Sequence, residues 1–217
     1  MTRSINDPAA PASGPSAANP ADIAWMRNLA EEGGRAPMRG ASILMSAGLI
    51  YGAASLINWA AIVDLLPITG GQIGFIWIGA TLAFFAALFL GLRNMRKDGV
   101  KTAANRASGV VWSGLGWGIF TLFLSLMALS FRLETQALVV FSLIPSIIMV
   151  FYGVGWAVSA AMHRSRPLWA LSIGSFAAAP ILALFAGQAA QYLAYAAALF
   201  LLMALPGVLL MRVAGRD

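Results

Sequence analysis

Six long apolar runs follow residue 40 of this chain, and they constrain its fold more than any other feature. They cover about residues 41–66, 72–92, 108–131, 136–162, 168–187 and 189–213. A helix needs about 20 residues to cross a hydrocarbon core of about 30 Å, so each run is long enough. Strands of a membrane barrel would alternate apolar and polar residues over about ten positions, and these runs do not alternate. Because only helices and closed barrels cross lipid, the sequence predicts an all-α, polytopic membrane protein with six transmembrane helices.

The composition agrees with a chain surrounded mainly by lipid. Hydrophobic residues make up 60% of the chain and charged residues 10%, whereas soluble domains average about 45–50% and about 25%. The formal net charge of +6 does not indicate nucleic-acid binding, because the basic residues lie between apolar runs rather than on one folded face. The chain has no cysteine, which excludes thiolate catalysis and cysteine-ligated metals.

The basic residues predict an orientation. Six spans place both termini on one side, and twelve Lys and Arg residues fall on that side, against Arg132 alone on the other. The twelve are Arg27, Arg35, Arg39, Arg93, Arg96, Lys97, Lys101, Arg106, Arg164, Arg166, Arg212 and Arg216. The positive-inside rule then predicts cytoplasmic termini in a cell inner (plasma) membrane. The Ala/Gly/Arg-rich composition is the basis for expecting a bacterial source.

The N-terminal 38 residues are expected to lie outside the bundle. Residues 1–18 are rich in Pro, Ala and Ser, which predicts a disordered cytoplasmic tail. Residues 19–38 predict a short amphipathic helix and a linker, with Asn19 as N-cap and Pro20 in the first turn. This helix could lie in the membrane interface or pack on the cytoplasmic loops. The first apolar run begins near Ala41, too late for a cleavable signal peptide, so the first span is expected to direct insertion. The six spans then form one domain over 39–213, and 214–217 are a cytoplasmic tail.

Two segments resemble each other. "GLIYGAASL" (48–56) lies in the first run and "GLGWGIFTL" (114–122) in the third, with Tyr51 and Trp117 at equivalent positions. Either a duplicated helical hairpin or chance, in a chain so rich in Gly, Leu and Ala, explains the match. The glycine pairs of both segments are expected to let helices approach closely; they are Gly48, Gly52, Gly114 and Gly118.

Polar groups within the runs are few. Asn58 is one amide inside an apolar helix, and with Tyr51 and Trp117 it is a candidate for lining a polar cavity. Asp64, Arg132 and Glu134 form either an external binding cluster or ordinary charges where helices leave the lipid. No catalytic, cofactor-binding or metal-binding motif occurs, so neither enzymatic activity nor a cofactor is expected.

Two further features of the sequence bear on the architecture: one tight turn and three prolines. Residues 185–191 must form a very tight turn; otherwise 168–213 would be a long helix with a re-entrant break. Pro145, Pro180 and Pro206 interrupt the last three runs, and each frees the carbonyl four residues earlier in its helix. Those carbonyls belong to Phe141, Phe176 and Leu202.

Two functional hypotheses follow. The first is a non-enzymatic membrane component, such as a subunit, a regulator or a homo-oligomer. The alternative is a small carrier or channel for an uncharged or weakly polar substrate. The expected partners are the lipid bilayer and either a second copy or another membrane protein, with no nucleic acid.

Overall fold

The computed structural model describes residues 19–20, 23–25, 40–95, 103–133 and 137–214. Eight α-helices and one π-helical segment follow residue 40 in this part of the chain: α1 (Ala41–Ile62), α2 (Gly70–Met95), α3 (Ala103–Leu133), α4 (Ala137–Ser142), α5 (Ile144–His163), α6 (Arg166–Leu184), α7 (Ala189–Leu199), the π segment (Phe200–Ala204) and α8 (Leu205–Ala214). The fourth span consists of α4 and α5, and the sixth of α7, the π segment and α8. Six helical stretches are long and apolar enough to cross a membrane, which confirms the predicted fold class.

The structure shortens the first predicted span. Helix α1 ends at Ile62 rather than near residue 66, because Asp64 adopts a left-handed conformation with φ 58°. The Leu65 amide donates to the Ala60 carbonyl at 2.9 Å and the Asp64 amide donates to the Ala61 carbonyl at 3.3 Å, the two bonds of a Schellman helix end. Pro67, with no amide hydrogen, then keeps the chain out of the helix.

A side chain of the first turn caps the start of α2. The Thr69 backbone amide donates to Gln72 Oε1 at 3.0 Å, so the third residue of the helix satisfies an amide just before its start. The tight turn between the last two spans is real as well. Residues 185–188 reverse the chain, and Gly187 takes a φ of 79° that a side chain would disfavour. The count of six spans therefore stands.

Helices α1 and α5 lie at the centre of the packing. Helix α1 packs against all three parts of the sixth span and against α2, while α5 packs against α6 and α3. Helices α2 and α3 are peripheral. Among their side chains that the structure describes, only Ala80 and Ser108 are buried. The fully buried centre consists of large side chains from the last three spans: Met149, Trp156, Leu182, Leu199 and Met203.

Proline determines two irregularities in the spans. Pro145 lies in the first turn of α5, directly after the break at Leu143. Pro206 follows the π segment and leaves the Leu202 carbonyl without its helical donor. Trp156 fills this gap, since its Nε1–H donates to the Leu202 carbonyl at 3.1 Å. The expected release of this carbonyl is therefore confirmed, and its new partner joins the fourth span to the sixth.

Charges differ between the two ends of the bundle. Five exposed arginines lie at the end where α1 begins, here named the basic end: Arg93, Arg106, Arg164, Arg166 and Arg212. Asp64 and Arg132 lie exposed at the other end, here named the distal end. The remaining basic residues of the predicted cytoplasmic side lie outside the described part of the chain.

Near the N-terminus the structure describes five residues. Pro20 and residues 23–25 are helical, and the Ile23 amide donates to the Asn19 carbonyl at 3.2 Å. The predicted disordered tail (1–18), most of the predicted 19–38 segment and the C-terminal tail (215–217) lie outside the described residues, so these assignments stay predictions.

Candidate functional site

Polar side chains meet at the distal end of the contact between the first, fourth and sixth spans. Ser55 and Asn58 lie one turn apart on α1, and both are buried. The Ser55 hydroxyl donates to the Tyr192 carbonyl at 2.8 Å, which joins α1 to the first turn of α7. Asn58 is only 1% exposed, and its Oδ1 atom has no hydrogen-bond partner. The one amide that the sequence places inside an apolar helix is therefore buried with an unsatisfied acceptor.

Gln191 links three spans at the same level. Its Nε2 atom donates to the Ser142 carbonyl at 2.6 Å and to the Leu182 carbonyl at 3.2 Å. Its Oε1 atom accepts the Gly187 amide at 3.4 Å. The Gln191 side chain, which belongs to α7, thus donates hydrogen bonds to carbonyls at the ends of α4 and α6. Carbonyls at helix ends lack intrahelical donors.

Sequence reasoning did not identify Gln191 as a site residue, because it assigned residues 185–191 to a turn. The signal that singled out Asn58, one amide within an apolar run, was also present here. Gln191 lies in the first turn of α7 and is buried, whereas Gln188, just before the helix, is exposed. The two amides differ because only Gln191 points into the bundle.

Ser146 completes this group in the first turns of α5. It is buried, and its Oγ atom has no hydrogen-bond partner. We name Ser55, Asn58, Ser146 and Gln191 the amide cluster. No residue of the cluster is ionisable, so the group offers hydrogen bonds without formal charge.

Three tyrosines lie closer to the middle of the bundle. Tyr51 of α1, Tyr152 of α5 and Tyr195 of α7 come from the same three spans as the amide cluster, and Tyr152 and Tyr195 are buried. Tyr51 is hydrogen-bonded to the Thr81 side chain of α2. We name these residues the tyrosine cluster. The sequence pointed to Tyr51 alone, because nothing in one chain's residue order shows which other spans it meets.

The expected cavity of Asn58, Tyr51 and Trp117 is not formed. Trp117 is 70% exposed on the outer face of α3, where its ring meets Phe120 edge-on at 6.0 Å. Helix α3 packs on α5, on the far side of the bundle from the α1–α2 hairpin. Tyr51 instead lies 5.6 Å from the Phe84 ring of α2. Equivalent positions in the two similar segments therefore have different surroundings, since only the first segment faces the core.

The four glycines of the two similar segments also have different surroundings. A Cβ atom on Gly48 would lie 2.5 Å from the Ala204 backbone nitrogen, and one on Gly52 would lie 2.6 Å from the Phe200 ring. Both contacts are with the π segment. No atom lies within 4 Å of a Cβ placed on Gly114 or Gly118. Among the described residues, close approach of helices thus occurs at the first pair and not at the second.

The charges at the distal end do not converge in the described part of the chain. Asp64 borders a shallow, open depression of about 590 Å³ formed by the end of α1 and the start of α2. Arg132 lies on α3, and Glu134 is outside the described residues. Within the described ranges, no group of three or more His, Asp or Glu residues could hold a metal ion.

The fold and the polar clusters define a class: this chain is an all-α membrane protein of six spans, with buried amide side chains on the first and sixth spans. No family model matches the chain, and neither a curated protein nor a solved structure was found that resembles it.

Proposed function

We propose that the chain is a non-catalytic component of a bacterial inner membrane, and that it assembles with a second copy or another membrane protein through the outer faces of α2 and α3. The observation that carries this proposal is the contrast between filled and open glycines. Glycines of the central spans meet neighbouring helices, as Gly48 and Gly207 do, whereas those of α3 face open space.

Exposure to lipid alone explains large apolar side chains on α3 but not its glycines. Two of them, Gly114 and Gly118, lie four residues apart on one face of α3, and in the described part of the chain a Cβ on either would meet no atom within 4 Å. A glycine in a helix interior costs about 1 kcal/mol relative to alanine, and it offers lipid no side chain. Small residues at helical spacing are favourable where another helix approaches closely. The open stripe is therefore best explained by a helix from outside this chain.

Large aromatic side chains border this stripe. Trp117 and Phe120 form their edge-on pair beside it, and Phe123 contacts Phe141 of the fourth span edge-on at 6.2 Å. Glycines beside a bulky ring offer shape complementarity to a partner helix, and close packing of this kind contributes to helix association in lipid.

Disulfide crosslinking tests the proposal, because the chain has no cysteine of its own. If a second copy is the partner, the Gly114→Cys variant should form a disulfide-linked dimer in native membranes. If the partner is a different protein, a photoreactive group attached at position 114 should crosslink to that protein. Ile173→Cys on α6 is the matched control, since it is similarly exposed to lipid at mid-span. Equal crosslinking of the two variants, or none at position 114 with either reagent, contradicts the proposal.

A carrier for a small uncharged substrate is the second candidate, and the unsatisfied Oδ1 atom of Asn58 supports it. The depression at the distal end is lined by residues 61–73 and does not include Asn58. Uptake of uncharged solutes into proteoliposomes, compared between the wild type and Asn58→Leu, tests this candidate. If the protein is a carrier, Asn58→Leu should lose uptake. Equal uptake with the wild type and with the variant, at a rate that does not depend on the protein, contradicts this candidate.

The charge difference between the two ends supports cytoplasmic termini. All five described arginines of the basic end are exposed at helix ends on one side, and the positive-inside rule assigns that side to the cytoplasm. The same residues would attract anionic lipids, by about 1 kcal/mol each near the surface.

A further inference from the structure

Two buried acceptors of the amide cluster have no hydrogen-bond partner in the described part of the chain. Asn58 Oδ1 and Ser146 Oγ are both inaccessible, and their residues are at least nine-tenths buried. A buried polar group without a hydrogen bond costs free energy, and the few such groups in native proteins usually bind water or a ligand. The two atoms come from different spans, so one local distortion does not explain both.

Hydrogen bonds that α7 makes with its neighbours indicate where these two atoms lie along the bundle axis. Ser55 bonds to residue 192 and Gln191 bonds to residue 142, so α1 and α4 meet α7 at neighbouring residues. Asn58 lies three residues, about 4.5 Å, from Ser55 toward the distal end. Ser146 lies four residues, about 6 Å, from Ser142 toward the basic end. The two acceptors therefore lie on either side of Gln191 along the bundle axis.

The path beyond Ser146 is closed by large apolar side chains. Met149 and Trp156 of α5 and Leu199 and Met203 of the sixth span are 0–1% exposed. The hydrogen bond from Trp156 to the Leu202 carbonyl joins the two spans that form this barrier. A solute that reaches the amide cluster must therefore enter from the distal end.

We propose that the Asn58 side of the amide cluster binds a small, uncharged hydrogen-bond donor that enters from the distal end of the bundle. A donor is required because Asn58 Oδ1 is an amide oxygen, which only accepts hydrogen bonds. The solute must be uncharged because the cluster has no ionisable side chain to balance an ion, and removing an ion from water is costly. Water is the smallest such molecule, and a small polyol such as glycerol has the same chemistry.

Cysteine reactivity at position 58 tests the inference in the full-length, membrane-embedded protein. Methyl methanethiosulfonate, a small neutral reagent, should modify Asn58→Cys about tenfold or more faster than Leu182→Cys, because a thiol in dry packing reacts only through local opening. Leu182 is an apt control, since it is equally buried and its carbonyl bonds to Gln191. Equally slow modification of both thiols overturns the inference.

Added glycerol distinguishes the two possible occupants. Slower modification of Asn58→Cys in glycerol supports a site that takes solutes larger than water, and an unchanged fast rate supports a site for water. If Asn58→Cys does not fold, water-edited solid-state NMR of the wild-type protein replaces it. Transfer from water to the Asn58 side-chain amide supports the inference, and its absence overturns it.

The inference is independent of assembly through α2 and α3, because the amide cluster lies between other spans. It concerns binding and not transport: the carrier candidate would need this site, whereas an assembly component would not.

Discussion

One added methyl group tests the contact between α1 and the π segment. In Gly48→Ala the new Cβ would lie 2.5 Å from the Ala204 nitrogen and 2.9 Å from the Ala204 Cα and Cβ atoms. Two of these three atoms are backbone, so no side chain can rotate away. The first span must instead shift from the sixth, which also separates the nearby contact of Gly207 with Ala41 and Met45.

The expected loss of stability follows from a comparison of Gly48→Ala with a second variant, Gly114→Ala. Overpacking of this kind costs about 1–3 kcal/mol, while any glycine-to-alanine change in a helix gains about 1 kcal/mol in propensity. Gly114→Ala receives the same gain without the clash, because no atom lies within 4 Å of its Cβ. The propensity gain cancels in the comparison, so Gly48→Ala should be less stable than Gly114→Ala by about 1–3 kcal/mol.

The assay is reversible unfolding by increasing SDS mole fraction, in a detergent in which the protein is monomeric. Monomeric protein is needed because Gly114 also lies on the proposed assembly face. Equal stability of the two variants would refute the close packing of the first span on the π segment.

Further predictions concern the hydrogen bonds between spans. Trp156→Phe removes the donor to the carbonyl that Pro206 frees and should lower stability by about 1 kcal/mol; an unchanged unfolding midpoint contradicts this bond. Gln191→Leu removes hydrogen bonds to carbonyls of two other spans and should cost about 1–3 kcal/mol, whereas Gln188→Leu, at an exposed position, should change stability by less than about 0.5 kcal/mol. Similar losses in both glutamine variants would show that Gln191 does not hold the spans together.

The span pattern was predictable because hydrocarbon imposes a length and an absence of charge on each helix. The release of the Leu202 carbonyl was predictable because Pro206 has no amide hydrogen. Both results depend on local chemistry, so the order of residues is enough to derive them.

The placement of each helix in the bundle was not predictable in the same way. Lipid tails are as apolar as a packed helix interface, so hydropathy does not distinguish a face that meets lipid from one that meets protein. Gly48 and Gly114 have the same local pattern, yet a Cβ on the first would meet Ala204, and one on the second would meet no atom of the described helices within 4 Å. Gln191 was missed for a related reason, since its role depends on carbonyls of two other spans.

The central claim is a six-span bundle with its basic end in the cytoplasm, and accessibility to an impermeant maleimide tests it most directly. The account predicts that Thr69→Cys and Gln188→Cys, in the first and last of the three distal connections, react from outside intact cells. Val100→Cys, between α2 and α3, should react only after permeabilisation. Protection of Gln188→Cys while Thr69→Cys reacts would contradict the count of six spans, and labelling of Val100→Cys in intact cells would contradict the orientation.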